Sequence, residues 1–523
     1  MRLPASLLVA AIVACPARGA AQTSRDWRVS ERTIIGDFSR ITSIASALDR
    51  VFVSSATSLV IWQPQLQRWT GPFTPPDPGL LGGVFASLID PIDQSLWLAK
   101  ADGWVHFQPE LDLWDQGRVD ATVVSIAFDE SDPIAGLHIR SRRGWLVLPR
   151  GGMVPMPGGP PGRPLVPATV DDALRSSPTL QANAAAILTD ERLRTVRYTA
   201  AARAFDNSGW YLGTSGAGLL FLPDGAALPE RIPFGLPSSR VSAVMTWPGG
   251  VWVATDRTAQ ADAALTFVGD DLDQFRTLRG LPATGVPFTR VLELVGQEKA
   301  IFAATDFGVA RVDPEDGGFE LIDERQGLPD SRVYSLASRL DGVTAGTARG
   351  LALIGAGVEV ERLAPEFADA AYAVFPLADS TWVATPRGLY VALTDRPNLV
   401  RPSSLGAASL QAPVVALGSL GDTLVGLTRD QLLWRNPATG VWTLGPNVSS
   451  LLGRLRAFAA DGPGFWIAGE QGVGFARLGA APVRALRQGD LPGLATDVAV
   501  DRRFLWVGTE RGLVRFELDA IRP

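Results

Sequence analysis

One phrase recurs along this chain and limits what it can become. Val343–Leu351 reads VTAGTARGL, and near-copies are FLWVGTERGL ending at Leu513, STWVATPRGL ending at Leu389, IFAATDFGV ending at Val309, GFWIAGEQGV ending at Val473 and GWYLGTSGAGL ending at Leu219. Weaker copies lie at 51–59, 95–104, 137–145, 251–259 and 423–432. Each is an apolar run, a small residue that is usually threonine, a polar turn with glycine, and a second apolar run. Marking the threonine position gives 55, 100, 141, 214, 255, 305, 347, 385, 427, 469 and 509, mostly 38 to 50 residues apart with one gap of 73. A beat of about 42 residues is the length of four short strands and their turns.

The unit after Gly327-Leu328-Pro329 divides into VYSLASRL, GVTAGT, GLALIGAG and VEVERL. Alternation and β-branched residues mark these as strands, and proline holds the entry extended. Radial repetition stacks many small sheets without long open edges. The expected fold is an all-β β-propeller of about 11 four-stranded blades. That number exceeds the usual four to eight of one ring, so two rings are expected, such as five plus six or four plus seven. The 73-residue gap holds a Pro/Gly-rich stretch (155–167) and a helical pattern (170–194), which define a small helical insertion over 158–196 between blades at 22–157 and at 197–523. An unpaired strand at 26–34 is expected to complete the last blade and close a ring, leaving that ring discontinuous in sequence.

Residues 1–21 read as an export signal, with Arg2, an apolar stretch over 5–14 and small residues Gly19-Ala20-Ala21 before Gln22. The only cysteine, Cys15, lies inside it. Cleavage after Ala21 gives a soluble exported protein, periplasmic or secreted; cleavage before Cys15 gives a lipoprotein. No later run is long enough to span a bilayer. A net charge of −6 gives no bulk support for a nucleic-acid role. Lysine occurs only at Lys100 and Lys299, so arginine carries nearly every positive charge.

Gly235-Leu236-Pro237 with Val241, Gly280-Leu281-Pro282 with Val291, Gly327-Leu328-Pro329 with Val333, and Leu491-Pro492 with Trp506-Val507-Gly508-Thr509 and Gly512-Leu513 carry a resemblance. The pattern resembles the two-component-regulator propeller repeats, strongly after 235 and weakly before it. The resemblance implies a periplasmic sensor propeller that binds oligosaccharides or related ligands. In that family a β-sandwich, membrane helix and kinase follow. Here the sequence closes at Pro523 without them, so sensing is expected to be indirect.

Ligand contacts are expected at the end of a ring that carries the Leu-Pro crossings and the second-to-third-strand turns. Arg40, Arg240, Arg290, Arg332 and Arg454 start inner strands there; Arg143, Arg349, Arg387, Arg429 and Arg511 lie in the turns. Their guanidinium groups suit bidentate capture of carboxylates, phosphates or acidic sugars; the competing reading pairs them with Asp306, Asp330 or Glu510. Trp97, Trp252, Trp382, Trp466 and Trp506 share one strand position and are expected in the core, whereas Trp104 and Trp145 follow the turn and are ligand candidates. His106 and His138 stand on separate blades without metal-ligand spacing, and Asp313–Gly318 and Asp270–Asp273 read as polar turns, so neither a metal nor a cofactor is expected. The function expected is non-catalytic recognition of a glycan or envelope protein. The alternatives are a sensory subunit serving a separate membrane kinase, which predicts a signalling operon, and a carbohydrate-active or lyase-type enzyme, which predicts a deep pocket with converging acids or a histidine at a pore mouth.

Overall fold

The computed structural model describes residues 31–189, 195–258, 261–279, 290–377, 380–393, 396–402, 413–480 and 482–522. The expected export signal with Cys15, positions 26–30 of the expected closing strand and the Gly280-Leu281-Pro282 turn lie outside them. Eleven antiparallel sheets, ten of four strands and one of five, form two rings of blades. Among the described residues no helix is long and apolar enough to cross a membrane.

The larger ring has seven blades. Their inner strands, Val241–Trp247, Val291–Gln297, Val333–Arg339, Ala373–Leu377, Val414–Leu420, Leu455–Asp461 and Ala495–Val500, pack side by side in this order, and the last returns to the first. The seventh blade takes its outer strand from the other end of the chain: Arg32–Ile35 pairs antiparallel with Gly512–Glu517, Ile34 opposite Val514 and Ile35 opposite Leu513. The smaller ring, built on Ser43–Ser46, Val84–Ile89, Val123–Asp129 and Tyr198–Arg203, is thus inserted between the closing strand and the rest of the large ring. The chain divides four plus seven.

Second strands such as Gly250–Thr255, Gly342–Thr347 and Phe504–Thr509 are buried at every residue. A middle strand is covered by a blade on each side, which is why its sequence lacks the alternation of a half-exposed strand. The repeated threonine has a bonding role. Thr305, Thr347, Thr385 and Thr509 donate from Oγ1 to the carbonyls of Gly308, Gly350, Gly388 and Gly512 across the turn, at 2.7 to 2.9 Å. Those glycines have φ between 107° and 130°, a region costly for a residue with Cβ. In the blade marked at 427 the stapling residue is Thr428, one position later, bonding to the Gln431 carbonyl.

The insertion is a wedge inside the small ring. Fourth and first, first and second, and second and third blades meet through their inner strands. Between the third and fourth, Pro164–Leu165 pairs with the free edge of the inner strand at Phe128 and Asp129. The helix Val170–Ser176, capped by Thr169, then packs with Leu180 of the helix Pro178–Ile187 against Ala201, Trp210, Leu212 and Leu220 of the fourth blade.

Two chain crossings join the rings. Asp37 bridges to Leu236, and Phe234 touches Phe38 and Trp69 on one side and Phe275 of the large ring on the other. Arg32, buried at 3% exposure, donates to the carbonyls of Pro75 (2.8 Å) and Pro76 (3.0 Å) in the small ring and of Asp490 (3.1 Å) in the large one. Burial lowers its pKa to about 10, against the pull of Asp490 and Asp77.

Candidate functional site

Arg240, Arg290, Arg332 and Arg454, just before inner strands, and Arg349, Arg387, Arg429 and Arg511, in the hairpin turns, all lie exposed on the large ring. Arg40 and Arg143 belong to the small ring and do not join them. The turns are rigid because each stapling threonine also accepts an amide: the backbone N–H of Arg349, Arg387 and Arg511 donates to Thr347, Thr385 and Thr509. Carboxylates stand among the guanidinium groups. Arg240 faces Glu510 at 3.9 Å and Arg290 faces Asp256 at 3.8 Å, both between neighbouring blades; Arg349 faces Asp330 at 3.5 Å and Arg387 faces Asp369 at 3.2 Å within a blade. With these side chains 56 to 77% exposed on the arginine side, each pair is worth about 0–1 kcal/mol. The face is of mixed charge, not a ring of bare cations.

Blades three and four add aromatic surface. Tyr334 lies at the bulge of its inner strand, between Val333 and Ser335. Its ring meets Tyr372 edge-on at 5.3 Å, and Tyr372 is 37% exposed. Arg332 lies beside Tyr334, which raises the guanidinium pKa. Arg401 sits 5.4 Å over the Tyr390 ring and donates to the Arg387 carbonyl at 3.0 Å. Arg332, Tyr334, Arg349, Tyr372, Arg387 and Arg401 thus share one patch.

The tryptophans divide differently from expectation. Trp252, Trp466 and Trp506 are fully buried and Trp382 is 4% exposed. Trp466 and Trp506 donate from Nε1 to Asp461 (2.9 Å) and Asp501 (2.7 Å), each five residues earlier. Trp97 is only partly buried and stacks on His106 at 4.1 Å. Trp104, expected as a ligand platform, is instead a core residue at 2% exposure, packed with Leu88, Ile126, Phe128 and Ile139. Its strand lies between two others of its blade, and the neighbouring blade covers it. Trp145 is half-buried with the Arg140 guanidinium 6.0 Å from its ring.

Both histidines are engaged. His106 Nε2 meets the Ser95 hydroxyl at 2.8 Å, and burial lowers its pKa against the pull of Asp93 and Asp115; His138 Nδ1 meets the Gly159 carbonyl at 3.1 Å. Among the described residues no group of three or more His, Cys, Asp or Glu is placed to hold a metal ion.

Two partly buried carboxylates escaped the sequence reading. On the inner strands of the large ring, Glu293 accepts the Leu336 amide of the next blade at 2.8 Å, and Asp497 accepts that of Val244 at 2.7 Å. Burial drives the pKa of Glu293 up to about 8 and of Asp497 up to about 7, partly offset by those amides. Both residues keep partial exposure. The signal in the sequence was a lone acid in each apolar inner strand, VLELVGQ and ATDVAV.

No protein-family model matches the chain, and no curated protein matches it. Among solved structures it is similar to the extracellular domain of a hybrid two-component system from B. thetaiotaomicron, with a TM-score of 0.45 and 12% identity over 91% of this chain and 70% of that one. A second such domain from the same organism gives 0.43 and 14% over 92% and 68%. Virginiamycin B lyase from Staphylococcus aureus gives 0.45 and 12% over 53% of this chain and 94% of that one. At these values the likeness carries no functional argument. The molecule's own blades define a two-ring β-propeller.

Proposed function

We propose that the chain is an exported, non-catalytic recognition propeller that binds an envelope protein through the turn-bearing end of its seven-bladed ring. The observation that carries this reading is the patch of Arg332, Tyr334, Arg349, Tyr372, Arg387 and Arg401 on two adjacent blades. Arginine and tyrosine are enriched where proteins bind one another and dominate the energetics there. Asp330 and Asp369 beside Arg349 and Arg387 match a partner bearing both signs of charge better than an acidic glycan, which they would repel. The ion pairs are weak enough for a partner's carboxylate to exchange with them.

The test compares the mature chain with Arg332→Ala/Tyr372→Ala in pull-downs from periplasmic extract and on an array of acidic and neutral glycans. The expected result is a protein captured by the parent and lost from the variant by at least tenfold in affinity, about 1.4 kcal/mol. Equal capture by both would reject this face. Retention of acidic glycans by the parent alone would move the assignment from a protein to a glycan.

A further inference from the structure

The small ring has a cavity of about 350 Å³ on its axis, where the inner strands of all four blades and the insertion converge. This lies at the lower end of the roughly 300–1,000 Å³ typical of small-molecule sites. No charged side chain lines it.

Five hydroxyl residues line the cavity, one from each blade (Ser43, Ser87, Ser125 and Thr199) and Thr169 from the insertion. Two have no protein partner. Ser43 Oγ and Ser87 Oγ are buried, their residues 2% and 5% exposed, and among the described residues nothing accepts from or donates to them. A buried hydroxyl without a partner is destabilising, because it has given up water and gained nothing in return, so two of them lining one cavity point to a bound group that completes them.

The mouth is apolar. Phe85, Val124 and Val166 line it and are 42%, 49% and 55% exposed. Phe85 and Val124 sit where inner strands bulge, between Val84 and Ala86 and between Val123 and Ser125. A bulge re-aims a side chain out of the sheet's alternation. Val166 arrives on the insertion, just after the pairing of Leu165 with Phe128.

We propose that this axial cavity binds a small uncharged molecule with an apolar body and at least two hydrogen-bonding groups. An ionised ligand would enter without a counter-charge, at a desolvation cost nothing in the wall offsets. The site is independent of the face proposed for partner binding, which belongs to the other ring.

The test titrates the mature chain with three probes of similar size by calorimetry: neutral 4-hydroxybenzyl alcohol, anionic 4-hydroxybenzoate and cationic tyramine. The neutral probe is expected to saturate one site, with the charged pair at least tenfold weaker. Ser43→Ala/Ser87→Ala should weaken the neutral probe at least tenfold, and Ala86→Leu, which fills the cavity, should abolish binding. Arg332→Ala/Tyr372→Ala should leave it unchanged, so failure of this site and failure of the partner face are read separately. Equal affinity for all three probes, unchanged affinity in the double serine variant, or no saturable binding of the neutral probe up to about 10 mM would overturn the proposal; the last leaves the hydroxyls to ordered water.

Discussion

Asp497, on the inner strand of the seventh blade, accepts the backbone amide of Val244 in the first blade at 2.7 Å. The contact joins the first and last blades of the large ring across 253 residues of sequence. Glu293 repeats the arrangement between the second and third blades, bonding to Leu336. An inner-strand carboxylate thus stitches one blade to the next.

Those carboxylates make stability depend on pH. Burial raises Glu293 to about 8, Asp497 to about 7 and Asp37, at the ring junction, to about 6. A carboxyl with a raised folded-state pKa binds its proton more tightly folded than unfolded. Its contribution is full below the unfolded value near 4 and is lost as pH rises through the folded value. The melting temperature is therefore expected to fall between about pH 5 and pH 8. Glu293→Gln, which keeps an oxygen for the Leu336 amide, should flatten that fall and raise Tm at pH 8 relative to the parent, with little effect at pH 5. Scanning calorimetry at the two pH values measures it, and parallel pH profiles for parent and variant would refute it.

Arg32 is the second joint. Its guanidinium reaches three carbonyls, two in one ring and one in the other. Arg32→Ala leaves those carbonyls without their donor and should cost about 2–4 kcal/mol. Lysine, a point charge without the planar fork, should restore only part of it. Chemical denaturation of the three proteins gives the order; a lysine variant as stable as the parent would show that charge alone suffices.

The closing strand should matter more than its four residues imply. Ile34 and Ile35 are both fully buried, one against the sixth and seventh blades and the other against the first and seventh. Burying each is worth about 1.5–3 kcal/mol. Deleting residues 22–36 removes both and opens an edge on the last blade, so a sharp loss of thermal stability is expected. A deletion that melts with the parent would show that the ring does not need its clasp.

The wedge is testable through Leu180, fully buried between the insertion and the fourth blade. Leu180→Ala should destabilise by about 2–5 kcal/mol and loosen the small ring first. Hydrogen exchange should then show faster amides in Tyr198–Arg203 than in the large ring. Uniform change across both rings would contradict a local role.

The repeat determined the blade. Threonine staples a hairpin to a glycine with positive φ, apolar runs of five or six residues make strands, and both signals are local, so they survive in a bare sequence. Trp252, Trp382, Trp466 and Trp506 at the shared second-strand position followed too, with Trp97 the exception, because a middle strand covered on both faces favours packing residues. What the sequence withheld depends on which blades are neighbours. The four-plus-seven division rests on strands meeting across distances such as Arg32–Ile35 with Gly512–Glu517, and blade length is the same in either ring. Trp104 was misread because only a neighbouring blade shows that its turn-proximal position is covered. The carboxylate stitches, the bulged Tyr334 and Phe85, and the serines of the axial cavity draw their meaning from groups on other blades. Closure of the rings brought those groups within reach.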